Sequence, residues 1–355
     1  MRVLGLFGQR DQIGAVEVYR ITLPYTYLNN ESETRCGWMT VNEAAAHLRA
    51  DDTDTVFGND IVVLHRTISA DPGAGQSLIA ALKCRGARVV YETDDDYSGR
   101  YRQADLIESR TWEPYIQHVD AITVSTLALA KRVREETGGR IPVHVIPNAI
   151  DRAWFASTAQ AAQRPFSDKL VVMLAGTKSH YQDWMVLQDV IPGILADYPH
   201  VKFLVAGITS EYLVNAGAET VAPVKYTAYP GILAQADILC APLIPDDPFN
   251  ASKSPIKAIE GWCAARPVGK QMGGCAVIAS KCAVYRGTVQ NRHNGLLVDH
   301  TPEAWDAGIR KLIEDRFTRR KLQIQGHKNA QRYDMATHWQ DWHRVYTKIV
   351  NGGSI

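Results

Sequence analysis

Short apolar segments alternate with longer segments of helical periodicity along the whole chain, and this alternation constrains the fold more than any other feature. Such a pattern predicts parallel strands joined by crossover helices, with helices covering both faces of each sheet. The series of strands runs once and then starts again. The sequence therefore predicts an α/β protein built from two doubly wound, Rossmann-like sheets. The predicted strands are Val3–Phe7, Ile61–His65, Arg88–Tyr91, Ala121–Val124 and Val143–Ile146, then Leu170–Ala175, Val201–Ala206, Val224–Tyr226, Ile238–Ala241, Ala276–Ala279 and Gly295–Val298.

The two series are separated by Ala156–Ser167, whose Ala, Gln, Ser, Thr and Pro content is typical of a linker. We therefore expect one domain over residues 1–160 and a second over 161–334. The last segment, 335–350, has apolar residues at helical spacing, and one place for it is back against the first domain. The other predicted helices are Pro72–Lys83, Thr111–His118, Leu127–Glu136, Trp184–Ala196, Pro255–Ala264 and Pro302–Glu314.

Charge and composition exclude several classes of protein. The 355 residues include 39 Lys and Arg against 38 Asp and Glu, a net charge of +1, so no overall field attracts nucleic acid or a membrane. No apolar run reaches the roughly 18 residues that indicate a transmembrane segment. Six scattered cysteines form no CxxC pair, and the first residues do not read as a signal peptide. We expect a cytoplasmic protein with reduced cysteines.

A glycine turn follows the first strand of the second domain. Gly176 allows a ligand close to the backbone, Thr177 and the free amides can donate to phosphate oxygens, and Lys178 adds positive charge. His180 in the next turn could donate to a phosphate or to the leaving group, or it could cap the helix. The alternative is an ordinary strand–helix turn with a Ser or Thr cap. The spacing is neither a Walker loop nor GxGxxG, and Gly5–Gly14 also lacks GxGxxG, which argues against a nicotinamide or flavin site.

A second anion-binding pattern surrounds Pro255. Ser254 is a good helix cap and Pro255 a good first helical residue, so the helix would point its positive end, beside Lys253, at a ligand. Glu260 lies roughly 9 Å further along the axis, where a carboxylate can accept hydrogen bonds from ribose hydroxyls. The alternative is a solvated Lys and Glu on an amphipathic helix.

The triplet Asp94–Asp96 ends a strand of the first domain. Three adjacent carboxylates repel one another, so they indicate hydrogen bonding, an acceptor hydroxyl or a bound Mg²⁺ or Mn²⁺. The alternative is a loop with one capping Asp and two solvated neighbours. Arg66, at the end of another strand, could hold an acceptor or donor phosphates.

Together these segments resemble GT-B glycosyltransferases, in particular the retaining family-four-like type (glycosyl transferases group 1). The resemblance spans nearly the whole chain and depends on the order and spacing of the motifs. The segments that carry it are Tyr19–Ile21 with Pro24, Tyr91–Asp96, Val124–Thr126, Ile146–Asp151, Gly176–Asp183, Lys253–Glu260, Val277–Ser280 and Asn294–Val298.

The resemblance implies a GT-B fold, with two Rossmann-like domains facing a central cleft, and a retaining sugar transfer from a nucleoside diphosphate sugar to an acceptor hydroxyl. It implies no tightly bound cofactor, and it argues against a required Mg²⁺ or Mn²⁺. The expected site falls into three groups of residues. These are donor-binding Gly176, Thr177, Lys178, His180, Lys253, Ser254 and Glu260, catalytic Lys178, Lys253, Asp94 and Asp95, and acceptor-side Gly14, Arg66 and Asp94.

Two departures from the family pattern concern the donor site. Ser252 stands where the family often has its first acidic residue, which leaves open the contact to the transferred sugar. The segment 265–275 is longer than the usual link after the Glu260 helix. Tyr226 and Tyr229 have two interpretations, contact with the base or packing.

Several acceptors and activities remain open. A saccharide, a lipid-linked envelope precursor and a hydroxylated base in phage DNA are the candidate acceptors, and an epimerase, a phosphorylase or a non-catalytic nucleotide-sugar-binding protein are rival functions. The segment Arg310–Arg332 carries eight basic and two acidic residues. It is either a solvated helical face or a surface for an acidic partner, a membrane or nucleic acid.

Overall fold

The computed structural model describes residues 1–8, 14–98, 107–162, 168–207 and 210–352, with the backbone alone at 107–109. Its contacts divide the chain into two units. Unit 1 contains Met1–Ala149, Ser252–Ser254 and Met335–Ile355, and unit 2 contains Ile150–Ala251 and Pro255–Asp334.

The predicted linker begins inside a helix. Residues Arg152–Ala161 are helical, Asp151 caps the helix by accepting from the Trp154 amide at 2.9 Å, and Phe155 and Ala159 are buried. Since this helix contacts the helix Tyr229–Leu233, residues 150–160 group with unit 2 rather than with the first domain as predicted. The rest of the predicted linker lies largely outside the described residues.

Unit 1 is built on a six-stranded parallel sheet in the order β2-β1-β3-β4-β5-β6. Its strands are β1 (Arg2–Phe7), β2 (Arg35–Thr40), β3 (Ile61–His65), β4 (Arg88–Thr93), β5 (Ala121–Val124) and β6 (Val143–Val145). Its helices are α1 (Ala15–Glu17), continued by a π-helical turn (Val18–Thr22) into α2 (Leu23–Glu31), then α3 (Val41–Arg49), α4 (Thr53–Phe57), α5 (Pro72–Cys84), α6 (Ile107–Ile116) and α7 (Leu127–Thr137).

The central strands of unit 1 are largely apolar because helices cover both faces of the sheet, although His65, Glu92 and Thr123 are also buried there. The sequence did not predict β2, since this edge strand is largely exposed and carries Arg35, Gly37 and Thr40 among its six residues. Thr40 then starts α3 with a capping box, accepting from the Glu43 amide while the Glu43 carboxylate accepts from the Thr40 amide.

Unit 2 contains a second six-stranded parallel sheet, in the order β14-β13-β10-β7-β8-β9. Its strands are β7 (Leu170–Ala175), β8 (Val201–Ala206), β9 (Glu219–Val221), β10 (Ile238–Ala241), β13 (Ala276–Ser280) and β14 (Leu296–Val298), and β11 (Arg266–Val268) and β12 (Gln271–Gly273) form a separate antiparallel pair. Its helices are α8 (Arg152–Ala161), α9 (Tyr181–Trp184), α10 (Val190–Asp197), α11 (Glu211–Asn215), α12 (Tyr229–Leu233), α13 (Pro248–Ala251), α14 (Ile256–Cys263), α15 (Ala283–Arg286), α16 (Pro302–Glu314) and α17 (Arg316–Asn329), with 3₁₀ turns at Lys178–His180, Met185–Leu187, Tyr226–Ala228 and Ala330–Tyr333.

Unit 2 also departs from the prediction at its third strand. The third strand is β9 rather than Val224–Tyr226, because Tyr226 begins a 3₁₀ turn and its ring stacks on Trp154 at 5.5 Å. The long segment 265–275 contains the β11–β12 hairpin, which accounts for its extra length.

The last helix, α18 (Met335–Val350), belongs to unit 1. Its Met335, Trp342, Tyr346 and Ile349 side chains are buried in the same core as β1 and β3. Among the described helices, none is long and apolar enough to span a bilayer.

Candidate active site

In unit 2 the strand order reverses between β7 and β10. The first strand, β7, has β8 and β9 on one side and β10, β13 and β14 on the other, which is the Rossmann arrangement. Ligands of such sheets bind outside the carboxyl ends of the strands at this reversal. The Gly176 turn follows β7 and the loop 242–255 follows β10, so both predicted donor-binding segments begin there.

Gly176 is required by close packing. A Cβ atom there would lie 2.9 Å from His180 and 3.0 Å from Trp184. The His180 and Trp184 rings stack with an interplanar angle of 7°. The His180 Nδ1 atom also lies 3.4 Å from the Asp183 carboxylate. Contacts with Trp184 and Asp183 therefore hold the His180 ring in place against the backbone of Gly176.

Asp183 joins the two loops at the sheet reversal. Its buried carboxylate accepts from the Ile244 amide at 3.1 Å and from Asn250 Nδ2 at 2.7 Å, and both donors follow β10. Sequence reasoning placed Asp183 next to the phosphate turn but overlooked Asn250. The signal for Asn250 was its position directly before the Lys253 motif, between Phe249 and Ala251.

Thr177 and Lys178 are exposed at the same edge. A 3₁₀ turn follows Thr177, and the Thr177 hydroxyl contacts Ser179 at 3.2 Å instead of capping that turn. Their hydroxyl and ammonium groups are thus accessible to an anion.

Glu260 has two close partners within unit 2. Its side chain is 1% exposed, and Oε2 accepts from Lys257 Nζ at 2.8 Å and from the Tyr229 hydroxyl at 3.0 Å. Lys257 Nζ is also 3.2 Å from the Tyr229 hydroxyl. Burial, reinforced by the Glu260 charge, raises the pKa of Tyr229 well above its usual value, so the hydroxyl remains a donor. Tyr229 therefore orients a carboxylate, a role that sequence reasoning did not assign to it.

The helix after Lys253 starts one residue later than predicted. Helix α14 begins at Ile256 with Pro255 at the cap position, and Ser254 does not cap it. The Ser254 hydroxyl instead accepts from Asn148 Nδ2 at 2.9 Å, since both residues belong to unit 1. The Ser252 carbonyl of the same segment accepts from the Thr126 hydroxyl at 2.9 Å. Lys253 therefore belongs, by its contacts, to unit 1.

Arg66 and the acidic triplet come together at the carboxyl edge of unit 1. Arg66 has a left-handed backbone, with φ at 56°, and its guanidinium is 2.6 Å from Asp94 and 3.9 Å from Asp95. Burial alone would raise the pKa of Asp94, but the charge and hydrogen bond of Arg66, with smaller contributions from His65 and Arg20, together hold that pKa below its usual value. Burial raises the pKa of Asp95, and the charge of Lys253 opposes this only in part.

The third carboxylate of the triplet has a structural role. Asp96 accepts from the Ser98 amide at 3.0 Å and lies 3.4 Å from Arg132. Two of the three carboxylates therefore have an arginine within 3.5 Å, whereas Asp95 lies 3.9 Å from Arg66.

Gly14 begins α1, close to the reversal of strand order between β1 and β3. Its amide donates to Glu17 at 3.0 Å, and Glu17 Oε1 is 3.6 Å from His65 Nε2. Glu17 and His65 are both buried, and sequence reasoning identified neither the contact of Glu17 with Gly14 nor its proximity to His65.

A buried charge pair lies behind this edge. Arg20 donates to both oxygens of Glu92 at 2.7 and 3.2 Å and to Asn148 Oδ1 at 2.9 Å. The Thr123 hydroxyl also donates to Glu92. Arg20, Glu92 and Asn148 stand in three different segments that carried the family resemblance. The sequence did not indicate that these residues contact one another.

Among the described residues, no group of three or more His, Cys, Asp or Glu side chains is arranged to hold a metal ion.

The chain is similar to known glycosyltransferases in sequence and in fold. Residues 168–315 match the family model described as glycosyl transferases group 1. A phosphatidyl-myo-inositol mannosyltransferase from Mycobacterium tuberculosis is 25% identical over 248 residues, and the match covers 66% of this chain but only 61% of that enzyme.

Solved structures match along nearly the whole chain. Anabaena HepE in complex with UDP-glucose has a TM-score of 0.70 at 15% identity and covers 98% of this chain and 100% of its own. Sucrose-phosphate synthase from Thermosynechococcus elongatus has a TM-score of 0.67 at 12% identity and covers 99% and 100%. At these identities the likeness is one of fold. Residues 168–315 therefore match the glycosyl transferases group 1 model, and the chain has the GT-B fold that the resemblance implied.

Proposed function

We propose that this protein is a retaining glycosyltransferase that moves a sugar from a nucleoside diphosphate sugar to a hydroxyl of a saccharide or envelope precursor. The observation that carries the proposal is the group 1 domain itself. It spans the sheet whose strand order reverses beside the Gly176 turn and the Glu260 helix. The likeness to a structure holding UDP-glucose makes UDP-sugars the first donors to test.

The donor diphosphate is proposed to bind at the Gly176 turn. Thr177 and the turn amides donate to its oxygens, and Lys178 stabilises the negative charge that develops as the sugar–phosphate bond breaks. His180 is held by Trp184 and Asp183, and it donates to the same oxygens. Lys253 and Ser254 stay predicted diphosphate contacts.

Glu260 is proposed to accept hydrogen bonds from the ribose hydroxyls of the donor. Lys257 and Tyr229 converge on Oε2, and they fix the plane of the carboxylate. They are positioning residues in this scheme, because they would act on the donor through Glu260.

The acceptor is proposed to lie against Arg66, Asp94 and Gly14 in unit 1, with Asp95 orienting its reacting hydroxyl. In the retaining reaction the bond from the anomeric carbon to the diphosphate breaks and a bond to the acceptor oxygen forms on the same face. The proton of the acceptor hydroxyl passes to the leaving phosphate. The name of the mycobacterial relative supports a lipid-linked acceptor as an early choice. We expect no requirement for an added divalent cation.

The first experiment is a thermal-shift screen of the purified chain against UDP-, GDP-, ADP- and dTDP-sugars. A donor at about a hundred times its Kd should add about 2.7 kcal/mol of stability. Transfer is then measured with and without EDTA, and NMR of the product assigns its anomeric configuration. Binding without release of nucleotide, or an inverted product, would contradict the proposal.

The ribose assignment has its own test. Donors with ribose and with 2′-deoxyribose are compared in the wild type, Glu260→Gln, Lys257→Met and Tyr229→Phe. The preference for ribose should fall about tenfold or more in Glu260→Gln, since each lost charged hydrogen bond is worth about 1.5–3 kcal/mol. The preference for ribose should also fall in Lys257→Met and in Tyr229→Phe. Lys202→Met removes another Lys–Glu pair of unit 2, at 2.8 Å from Glu219, and should leave the preference unchanged.

A further inference from the structure

Helix α17 (Arg316–Asn329) differs from an ordinary solvated helix in its charge. This helix lies in the basic segment Arg310–Arg332, which the proposed function does not use. It contains five Lys and Arg residues and no Asp or Glu.

Part of the basic segment is taken up internally. Arg310 pairs with Asp197 at 2.6 Å and with Asp306 at 2.7 Å. The Arg319 guanidinium donates to the carbonyls of Leu312 and Ile313, the last carbonyls of α16. These two arginines stabilise the fold, so the remaining cations of α17 need a separate explanation.

One side of α17 is packed on unit 2. Leu322 is in the core, Gln323 Nε2 donates to the Asp237 carbonyl at 3.2 Å, and Gly326 lies against the Trp262 indole. At about 100° of rotation per residue, these positions define an inward direction for the helix.

The opposite side carries Phe317, Ile324, Lys321 and Lys328. With the same rotation these four residues fall within about 60° of one another, facing away from the packed side. Phe317 is 87% exposed, the most exposed of the large apolar side chains identified among the described residues. Lys321 and Lys328 are exposed, and Ile324 is half-buried. The side therefore presents two apolar residues in line, about 10 Å apart, and an ammonium group follows each of them along the helix axis.

Arg316 and Arg320 extend this charge along one flank. Both lie close enough to Arg319 for their charges to lower its pKa, although burial is the larger cause. We call the set Arg316, Phe317, Arg320, Lys321, Ile324 and Lys328 the outer face of α17.

We propose that the outer face of α17 binds the surface of an anionic lipid bilayer. An apolar line parallel to the helix axis enters the interface of a bilayer, and flanking lysines contact the acidic headgroups. Duplex nucleic acid offers phosphates to the lysines but no apolar layer for Phe317 and Ile324. The inference stands on α17 alone and does not depend on sugar transfer.

The test is co-sedimentation of the full chain with vesicles of phosphatidylcholine, with and without about one-third phosphatidylglycerol. We expect binding to the anionic vesicles at about 0.1 M salt and its loss near 0.5 M, since screening shortens the reach of the charges. Lys321→Gln and Lys328→Gln should each weaken binding about fivefold. Phe317→Ser should weaken it about tenfold or more.

Matched control variants test whether vesicle binding depends on the outer face of α17 or on exposed charge and apolar surface in general. Lys281→Gln removes another exposed lysine, 3.5 Å from Asp299, and Leu127→Ser removes a leucine that is 77% exposed. Both should bind vesicles as the wild type does, and all variants should keep the wild-type Tm. No binding to anionic vesicles at low salt would overturn the proposal. So would equal binding by Phe317→Ser, or salt-dependent binding to a DNA duplex in place of vesicles.

Discussion

At the scale of single residues, unit 1 handles its buried charges by pairing them closely. Arg20 and Glu92 have no solvent exposure, and the guanidinium uses both carboxylate oxygens as well as Asn148. A fully buried ion is costly unless it is paired and hydrogen-bonded. This network therefore makes the backbone around β4 sensitive to any change that leaves one charge behind.

Replacing Arg20 with Met should lower the free energy of unfolding by about 3–5 kcal/mol, because Glu92 would stay buried without its cation. Urea denaturation followed by circular dichroism measures the loss. Arg2→Met is the control, since Arg2 pairs with Asp54 at 3.0 Å with side chains 48% and 76% exposed. That change should cost at most about 1 kcal/mol. Equal losses in the two variants would contradict this view of the network.

The neighbouring carboxylates Asp94 and Asp95 should respond oppositely to neutralisation. Asp94→Asn removes the charge that Arg66 binds, so at pH 7 it should lose about 1–3 kcal/mol. The pKa of Asp94 is lowered on folding, so its contribution is complete above the unfolded value and is lost as the pH falls below about 3.8. The pKa of Asp95 is raised, so its ionised form opposes folding, and Asp95→Asn should be neutral or stabilising at pH 7.

Urea denaturation across pH separates the two residues. Between pH 7 and 3.8 the advantage of Asp95→Asn should shrink, because wild-type Asp95 takes up its proton there. The penalty of Asp94→Asn should persist over that range and fade only at lower pH. If the stabilities of Asp94→Asn and Asp95→Asn depended on pH in the same way, the two carboxylates would not have the different environments described above.

The sequence identified these residues but not their pairing. Asp94–Asp96 and Arg66 were singled out because they end parallel strands, a position that the chain pattern fixes. Which carboxylate Arg66 reaches depends on its left-handed backbone, and only tertiary structure reveals that conformation. Likewise Ser254 has the side chain of a helix cap, but Asn148 donates to it instead.

At the scale of elements, the central strands were predictable, whereas of the four edge strands only β6 and β14 were. β3, β5, β7, β8 and β10 lie where the apolar runs predicted them, since a strand buried on both faces must be apolar. The edge strands β2 and β9 were missed. Most of their residues are exposed and need not be apolar, so these strands show no apolar run. The second part of helix α8, from Ala156 on, was taken for a linker because its small and polar residues conceal the buried Ala159.

The contact between α17 and α14 depends on a glycine. A Cβ atom at Gly326 would lie 2.3 Å from the buried Trp262 ring. Gly326→Ala should therefore destabilise unit 2 by about 1–3 kcal/mol, although alanine favours helix elsewhere. Gly287 has φ at −85° and open space around it, so Gly287→Ala should change stability by no more than about 0.5 kcal/mol. Thermal unfolding of both variants measures the difference, and a Gly326→Ala protein as stable as the wild type would show that Trp262 can move aside.

At the scale of the whole molecule, unit 1 is assembled from distant parts of the chain. The helix α18 comes last in sequence, yet Trp342 and Tyr346 are fully buried in the core formed by β1, β3 and α2. The Arg20 guanidinium also lies 5.3 Å from the centre of the Trp342 ring. Folding of the first unit is therefore coupled to residues that a ribosome makes only at the end of this sequence.

Deleting residues 335–355 should consequently destabilise unit 1 rather than unit 2. Loss of one buried tryptophan alone costs about 3–5 kcal/mol, and this deletion exposes the whole face of the sheet that α18 covers. Hydrogen exchange followed by mass spectrometry should show increased exchange in β1, β3 and α2, while β7, β8 and β10 keep their protection. A chain lacking only residues 351–355 is the control, and its exchange should match that of the full chain. Faster exchange confined to unit 2 after the longer deletion would mean that α18 does not complete the core of unit 1.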